Sequence, residues 1–285
     1  MDYPIRQLSA EDFPQKLEHI PEPPEQLFVR GTLPSPTTKI LAVVGSRALS
    51  RYGKDSCEKL IRELSGYDIS IASGLALGTD ACAHEAALTY GLHTLALPGS
   101  AISDSAIAPR SNLSLAHKIL ASGGALMCEN DEGYIVGKYS FPKRNRLMAG
   151  IADAVLLIEA GLKSGTGITA RLAMDYNREL LCVPHRIGDA NSEGVHYYIR
   201  QGATLVTSGA DILQALGIEK KEEERTPSLL LNELELSIVH YLQHPKRQDE
   251  ILRDLTSSHA DILSALASLE LRDVVVIEFG QYRLK

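Results

Sequence analysis

Between Lys39 and Leu216, short apolar runs alternate with segments whose apolar residues recur at helical spacing. Runs at 39–44, 69–73, 93–97, 125–129, 154–160, 180–184 and 204–206 read as strands. Segments at 52–64, 79–90, 113–121, 144–151, 169–177, 194–201 and 209–216 read as helices. The run Ile40-Leu41-Ala42-Val43-Val44 has no polar break, the pattern of a strand covered on both faces. Strand and helix in repeated alternation predict an α/β domain: a mostly parallel sheet wrapped by helices, with binding loops at the carboxyl ends of the strands.

The flanking segments read differently. Residues 1–38 carry seven prolines, a density that prevents a long helix, so they are expected to form an arm with a few apolar anchors such as Leu27 and Phe28. Residues 218–230 hold a charge run ending in Pro227 and read as a solvated linker. Beyond it, helical patterns at 231–242, 248–255 and 258–271 precede two strand-like runs joined at Gly280. Three helices and a hairpin describe a small winged-helix domain over 231–285. Its presumed recognition helix, 260–271, contains no Lys or Arg, so contact with protein is favoured over reading of duplex DNA.

Composition narrows the partners. The formal net charge of −7 argues against coating nucleic acid broadly, so phosphate contacts must come from local patches. The four cysteines, Cys57, Cys82, Cys128 and Cys182, lie apart without CxxC spacing, which fits core residues in a reducing cytoplasm. No apolar run approaches the roughly 18–20 residues of a membrane span. No metal and no cofactor are expected.

One patch stands out against the acidic background. Lys138, Lys143, Arg144 and Arg146 place four cations within nine residues, with Tyr139 and Phe141 among them and no acid. Cations neutralise phosphates and a ring offers a stacking surface, the two needs of an unpaired nucleic-acid strand. A plain solvated basic loop has the same composition. Pro142 suits the first turn of the helix that follows, where free N–H groups also favour anions.

Two further loops could cradle phosphate. Gly45-Ser46-Arg47 ends the first long strand, where Gly permits close approach, Ser46 can donate and Arg47 can fork onto an anion. The alternative is an ordinary turn with Arg47 in solvent. Ser164-Gly165-Thr166-Gly167 follows the strand at 154–160 and opens a helix, an arrangement that serves either as an N–H cradle or as a connector; Lys163 adds a charge. A third turn, Ser73-Gly74-Leu75-Ala76-Leu77-Gly78-Thr79-Asp80, lacks both the GxGxxG and the Gly-Lys-Ser/Thr patterns and is expected to pack against the first loop. His84 and His93 read as structural, and no nucleophile–base pair is recognisable.

Taken in order, Gly45-Ser46-Arg47, the 73–80 turn, Leu97-Pro98-Gly99, Phe141-Pro142-Lys143-Arg144-Asn145-Arg146, Glu159-Ala160 and 164–170 resemble the motifs of the DNA-processing protein A (DprA/Smf) family over about residues 22–217. The resemblance implies an extended Rossmann-like core, here 39–217, that binds single-stranded DNA, forms a homodimer, protects incoming DNA and loads the RecA recombinase during natural transformation. It assigns phosphate contacts to Ser46 and Arg47, a basic residue and a base-stacking ring to Lys138 and Phe141, and a basic helix start to Arg144, Asn145 and Arg146. Residues 100–109 depart from the family's Tyr-Pro turn, which puts a contribution from that loop in doubt. The sterile-alpha-motif domain of some members is not expected. The rival reading is an enzyme, a nucleotide phosphoribohydrolase of the lysine-decarboxylase-like kind, suggested by Glu159 and the 159–169 loop but lacking that family's Pro-Gly-Gly.

Overall fold

The computed structural model describes residues 3–162, 164–219, 231–242, 244–272, 274–278 and 280–284. Lys163 and most of the expected linker lie outside them. The chain divides into two units, Met1–Lys220 and Lys221–Lys285.

In the first unit the elements run β1 (Ile5–Gln7), α1 (Gln15–Glu18), β2 (Phe28–Gly31), β3 (Lys39–Val44), α2 (Arg51–Arg62), β4 (Ile69–Ser73), α3 (Thr79–Thr89), β5 (His93–Ala96), α4 (Leu113–Ala121) and β6 (Ala125–Cys128). They continue with α5 (Ser140–Ile151), β7 (Ala154–Leu157), α6 (Thr166–Asp175), β8 (Glu179–Cys182), α7 (Glu193–Arg200), β9 (Thr204–Leu205) and α8 (Gly209–Ala215). The strands form one sheet in the order β1-β2-β6-β5-β4-β3-β7-β8-β9. From β6 to β9 neighbouring strands are parallel.

Alternation along each central strand feeds two apolar layers. Ile40, Ala42 and Val44 of β3 join Leu147, Met148 and Ile151 of α5 on one face; Leu41 and Val43 join Cys57, Leu60 and Ile61 of α2 on the other. A strand buried on both sides has no solvent face for polar side chains, which accounts for the unbroken apolar run Ile40-Leu41-Ala42-Val43-Val44 in β3.

The amino-terminal segment is not an arm. β2 pairs antiparallel with β6, and β1 pairs antiparallel with β2, so Ile5–Gln7 and Phe28–Gly31 extend the sheet itself. Leu8, Leu17, Ile20, Leu27 and Val29 are buried in the same core as α5. The prolines punctuate this segment without excluding its short strands.

In the second unit α9 (Glu233–Tyr241), α10 (Gln248–Asp254) and α11 (His259–Leu271) precede the hairpin of β10 (Val275–Glu278) and β11 (Gln281–Leu284). Ile238, Ile251, Ile262, Leu266, Leu269 and Val275 form its own core.

His84 of α3 is enclosed between the helix and the sheet, with no exposed surface. Thr94 Oγ1 donates to Ile71 O at 2.9 Å, so it accepts from His84 Nδ1–H at 2.7 Å, which puts a proton on Nδ1. Burial pushes the His84 pKa down to about 3, aided by the Arg144 cation and opposed by the backbone at Ser73. The unfolded chain binds a proton below the ordinary value of 6.5 while the folded chain does not. Stability should therefore fall as pH drops from 6.5 towards 3, by about 1.4 kcal/mol per unit from this residue. Chemical denaturation across that range is expected to show a shallower acid slope in His84→Asn, which retains a donor towards Thr94.

Candidate functional site

The chain leaves β3 towards β4, β5 and β6, then returns to the opposite side of β3 at β7. Loops diverge at such a reversal and leave a crevice beyond the carboxyl ends of the two strands. A cavity of about 790 Å³ occupies it. Gly45, Ser46 and Arg47 line it after β3; Gly161, Ser164, Gly165 and Thr166 line it after β7; and α5 with its approach forms a third wall.

The loop after β3 is held from three sides. Ser46 O accepts from the N–H and the hydroxyl of Thr79, both at 3.1 Å, so the 73–80 turn does pack against this loop. Gly78 makes that approach possible: its φ is +74°, and a Cβ there would lie 2.4 Å from the carbonyl oxygens of Ser46 and Arg47. Thr166 Oγ1 donates to Gly45 O at 2.9 Å, and Asn191 Nδ2 reaches Ser46 Oγ at 3.4 Å. Further along, the buried Glu159 carboxylate accepts from Ser50 N–H at 2.9 Å and Ser50 Oγ at 2.7 Å. Ser50 Oγ in turn accepts from Gly53 N, capping α2. Glu159 thus anchors a loop and does not line the cavity, which removes the acid on which the phosphoribohydrolase reading rested.

Helix α5 begins at Ser140, four residues earlier than the apolar pattern alone indicates, with Pro142 in its first turn. In α5, Phe141, Pro142, Arg144, Asn145 and Met148 are linked by steps of three and four and line the cavity, and Lys138 joins them from the turn before the helix. The exposed Arg47 guanidinium lies over the Phe141 ring, 4.8 Å from its centroid. Lys138 is also exposed.

The four cations of the 138–146 patch therefore divide. Arg144 is buried: its Nη1 donates to Gly74 O at 2.7 Å and to Leu97 O, and its Nε donates to Asn145 Oδ1 at 3.2 Å. Two guanidinium nitrogens sit where a Cβ on Gly74 would stand, at 2.2 and 2.4 Å, so only glycine admits Arg144 here. Burial draws its pKa down to about 10, with Asp80 opposing, so it remains charged at neutral pH. Burial lifts the Asp80 carboxyl above its ordinary value, and Arg144 pulls it back. Arg144 lines the cavity but is spent on holding it together.

Lys143 and Arg146 are absent from the described lining and turn to another side of α5. Arg146 Nη2 meets Glu129 at 2.5 Å and its Nε lies 3.8 Å from Glu22; Lys143 Nζ lies 3.4 Å from Glu129. This corrects the expectation that both belong to one cationic groove: on a helix starting at Ser140 they point away from Lys138 and Phe141, and acids neutralise them. Asn145 faces the cavity and also donates to Gly165 O at 3.4 Å. Ser164 Oγ is buried beside the cavity without a protein partner among the described residues.

Sequence reasoning missed Asn191. It reaches the cavity from the loop after β8 with φ +60°, and its only advance signal was an Asp-Ala-Asn-Ser turn before a helix.

Comparison with known proteins identifies relatives of this chain. The family model described as DNA recombination-mediator protein A matches residues 5–217. Protein Smf of Escherichia coli is 40% identical over 207 residues, covering 73% of this chain and 55% of that protein. The DNA processing protein DprA of Streptococcus pneumoniae is 37% identical over 211 residues, covering 74% and 73%. This chain thus spans little more than half of the E. coli relative. Among solved structures, S. pneumoniae DprA aligns with a TM-score of 0.67 at 36% identity, covering 77% of this chain and 75% of that one. A Helicobacter pylori DNA processing protein A structure, described for its single-stranded DNA binding mode, aligns with a TM-score of 0.66 at 28% identity, covering 75% and 96%.

Two substitutions separate the buried cation from its exposed neighbour. Arg144→Met, which strands Asp80, is expected to cost about 3–5 kcal/mol of stability. Lys143→Ala should cost no more than about 1 kcal/mol, as for a partly exposed ion pair. Urea denaturation of both variants checks the contrast.

Proposed function

The chain belongs to the DNA recombination-mediator protein A family, and from that premise we propose that it binds single-stranded DNA in the cavity between β3, β7 and α5, without catalysing a reaction. The observation that carries this reading is Arg47 stacked on Phe141 with Lys138 on the same wall, in a protein of net charge −7. Arg47 and Lys138 supply phosphate neutralisation, Phe141 supplies a face for a base, and the hydroxyls of Ser46 after β3 and Ser164 before α6 supply short donors beside the backbone of Gly165 and Thr166. Arg144 and Asn145 hold the walls in place. Lys143 and Arg146, paired to acids, contribute less.

Recombination mediation follows from such a role. The protein binds incoming single strands through this local patch, protects them and loads the RecA recombinase onto them during natural transformation in the cytoplasm. It works as a homodimer; Val195 and Tyr198 of α7 pack inward while Tyr197 is left partly exposed and available for pairing. The 231–285 unit acts as a winged helix that meets a protein partner, because α11 carries no Lys or Arg. No helix among the described residues is long and apolar enough to cross a membrane, and no membrane partner is proposed.

Titration with dT oligomers and with duplex at several salt concentrations is the test. Single strands should bind more tightly than duplex, with log affinity falling linearly with log salt. Arg47→Ala and Lys138→Ala should each cost about 1–2 kcal/mol and reduce the salt slope by about one contact. Equal affinity for both forms, or no salt slope, would refute the assignment.

A further inference from the structure

We propose that Tyr139 is a second stacking platform, outside the cavity, for a base that flanks the one lodged against Phe141; the proposal rests on the single-strand-binding reading above. Tyr139 occupies the position immediately before α5, and 73% of it is exposed. A side chain so exposed contributes little to the core. Lys138 Nζ stands over its ring, 5.0 Å from the centroid. The same Lys138 lines the cavity, so one cation serves both the Tyr139 ring and the cavity wall. On the cavity side the pairing is repeated, with Arg47 over Phe141 at 4.8 Å.

Each ring therefore has a cation beside it, at the cavity wall and next to it outside. A strand that seats a base on Phe141 and passes its phosphate along Lys138 meets Tyr139 next. Base–aromatic stacking tolerates any sequence because every base has a π face, which suits a binder without sequence readout. Glu129, the acid that pairs with Lys143 and Arg146, does not oppose this path strongly: its side chain is only 9% exposed and already engaged by both cations.

The consequence is a length dependence specific to Tyr139. The full chain, Tyr139→Ala, Tyr139→Phe and Arg47→Ala are titrated with a ladder of dT oligomers from the dinucleotide upward, at two salt concentrations. Tyr139→Ala should lose about tenfold in affinity for long oligomers, one base stack, with an unchanged salt slope and little change for the shortest. Tyr139→Phe should recover the loss, because the ring and not the hydroxyl is used. If Tyr139→Ala binds long oligomers as tightly as the unaltered chain while Arg47→Ala is weakened, the second platform is overturned and the cavity stands. Loss on oligomers of every length, or failure of Tyr139→Phe to recover it, also overturns the platform. If the unaltered chain binds no oligomer, both readings fall together.

Discussion

A buried guanidinium sets the geometry on which the rest depends. Arg144 reaches from α5 across the carboxyl ends of β4 and β5, donates to Gly74 O and Leu97 O, and lies beside Asp80. A charge removed from water is tolerated only when its donors are met and an opposite charge is near. The observed rotation of α5 about its axis meets that condition. Once that rotation is set, Lys138 and Phe141 must face the cavity, and Lys143 and Arg146 must face Glu129.

The division of labour gives the proposed single-strand binding by an acidic chain its physical basis. Cations clustered in sequence are separated in space: one structural, two neutralised by acids, and Lys138 left to join Arg47 from a loop nearly a hundred residues earlier. The loop that carries Arg47 is itself fixed by Thr79, Thr166 and, through Ser50, the buried Glu159. Binding groups are therefore presented by a frame whose polar bonds are already made, which lowers the ordering cost on association.

Much of the core was legible because full burial leaves a plain record. Strands covered on both faces carry continuous apolar runs in β3 and β7, and the turn glycines mark where backbones approach. β1 and β2 were not legible: Ile5-Arg6-Gln7 and Phe28-Val29-Arg30-Gly31 are short, partly exposed and set among prolines, so the pairing of β2 with β6 and of β1 with β2 is a tertiary fact. The face of each cation was not legible either. Reading the helix from Arg144 gathers the cations at its free end, whereas a start at Ser140 spreads Lys143, Arg144 and Arg146 around the axis at about 100° per residue. The return of the chain to β3's other side, which creates the crevice, left no local mark in the sequence at all.

Hydrogen–deuterium exchange of the full chain with and without a dT oligomer addresses the central claim most directly. Amides at 45–50, 138–146 and 161–167 should gain protection together, while those of the 231–284 unit and of the buried central strands stay unchanged. Protection confined to 231–284, or absent from 45–50 and 138–146, would contradict a strand-binding cavity between β3, β7 and α5.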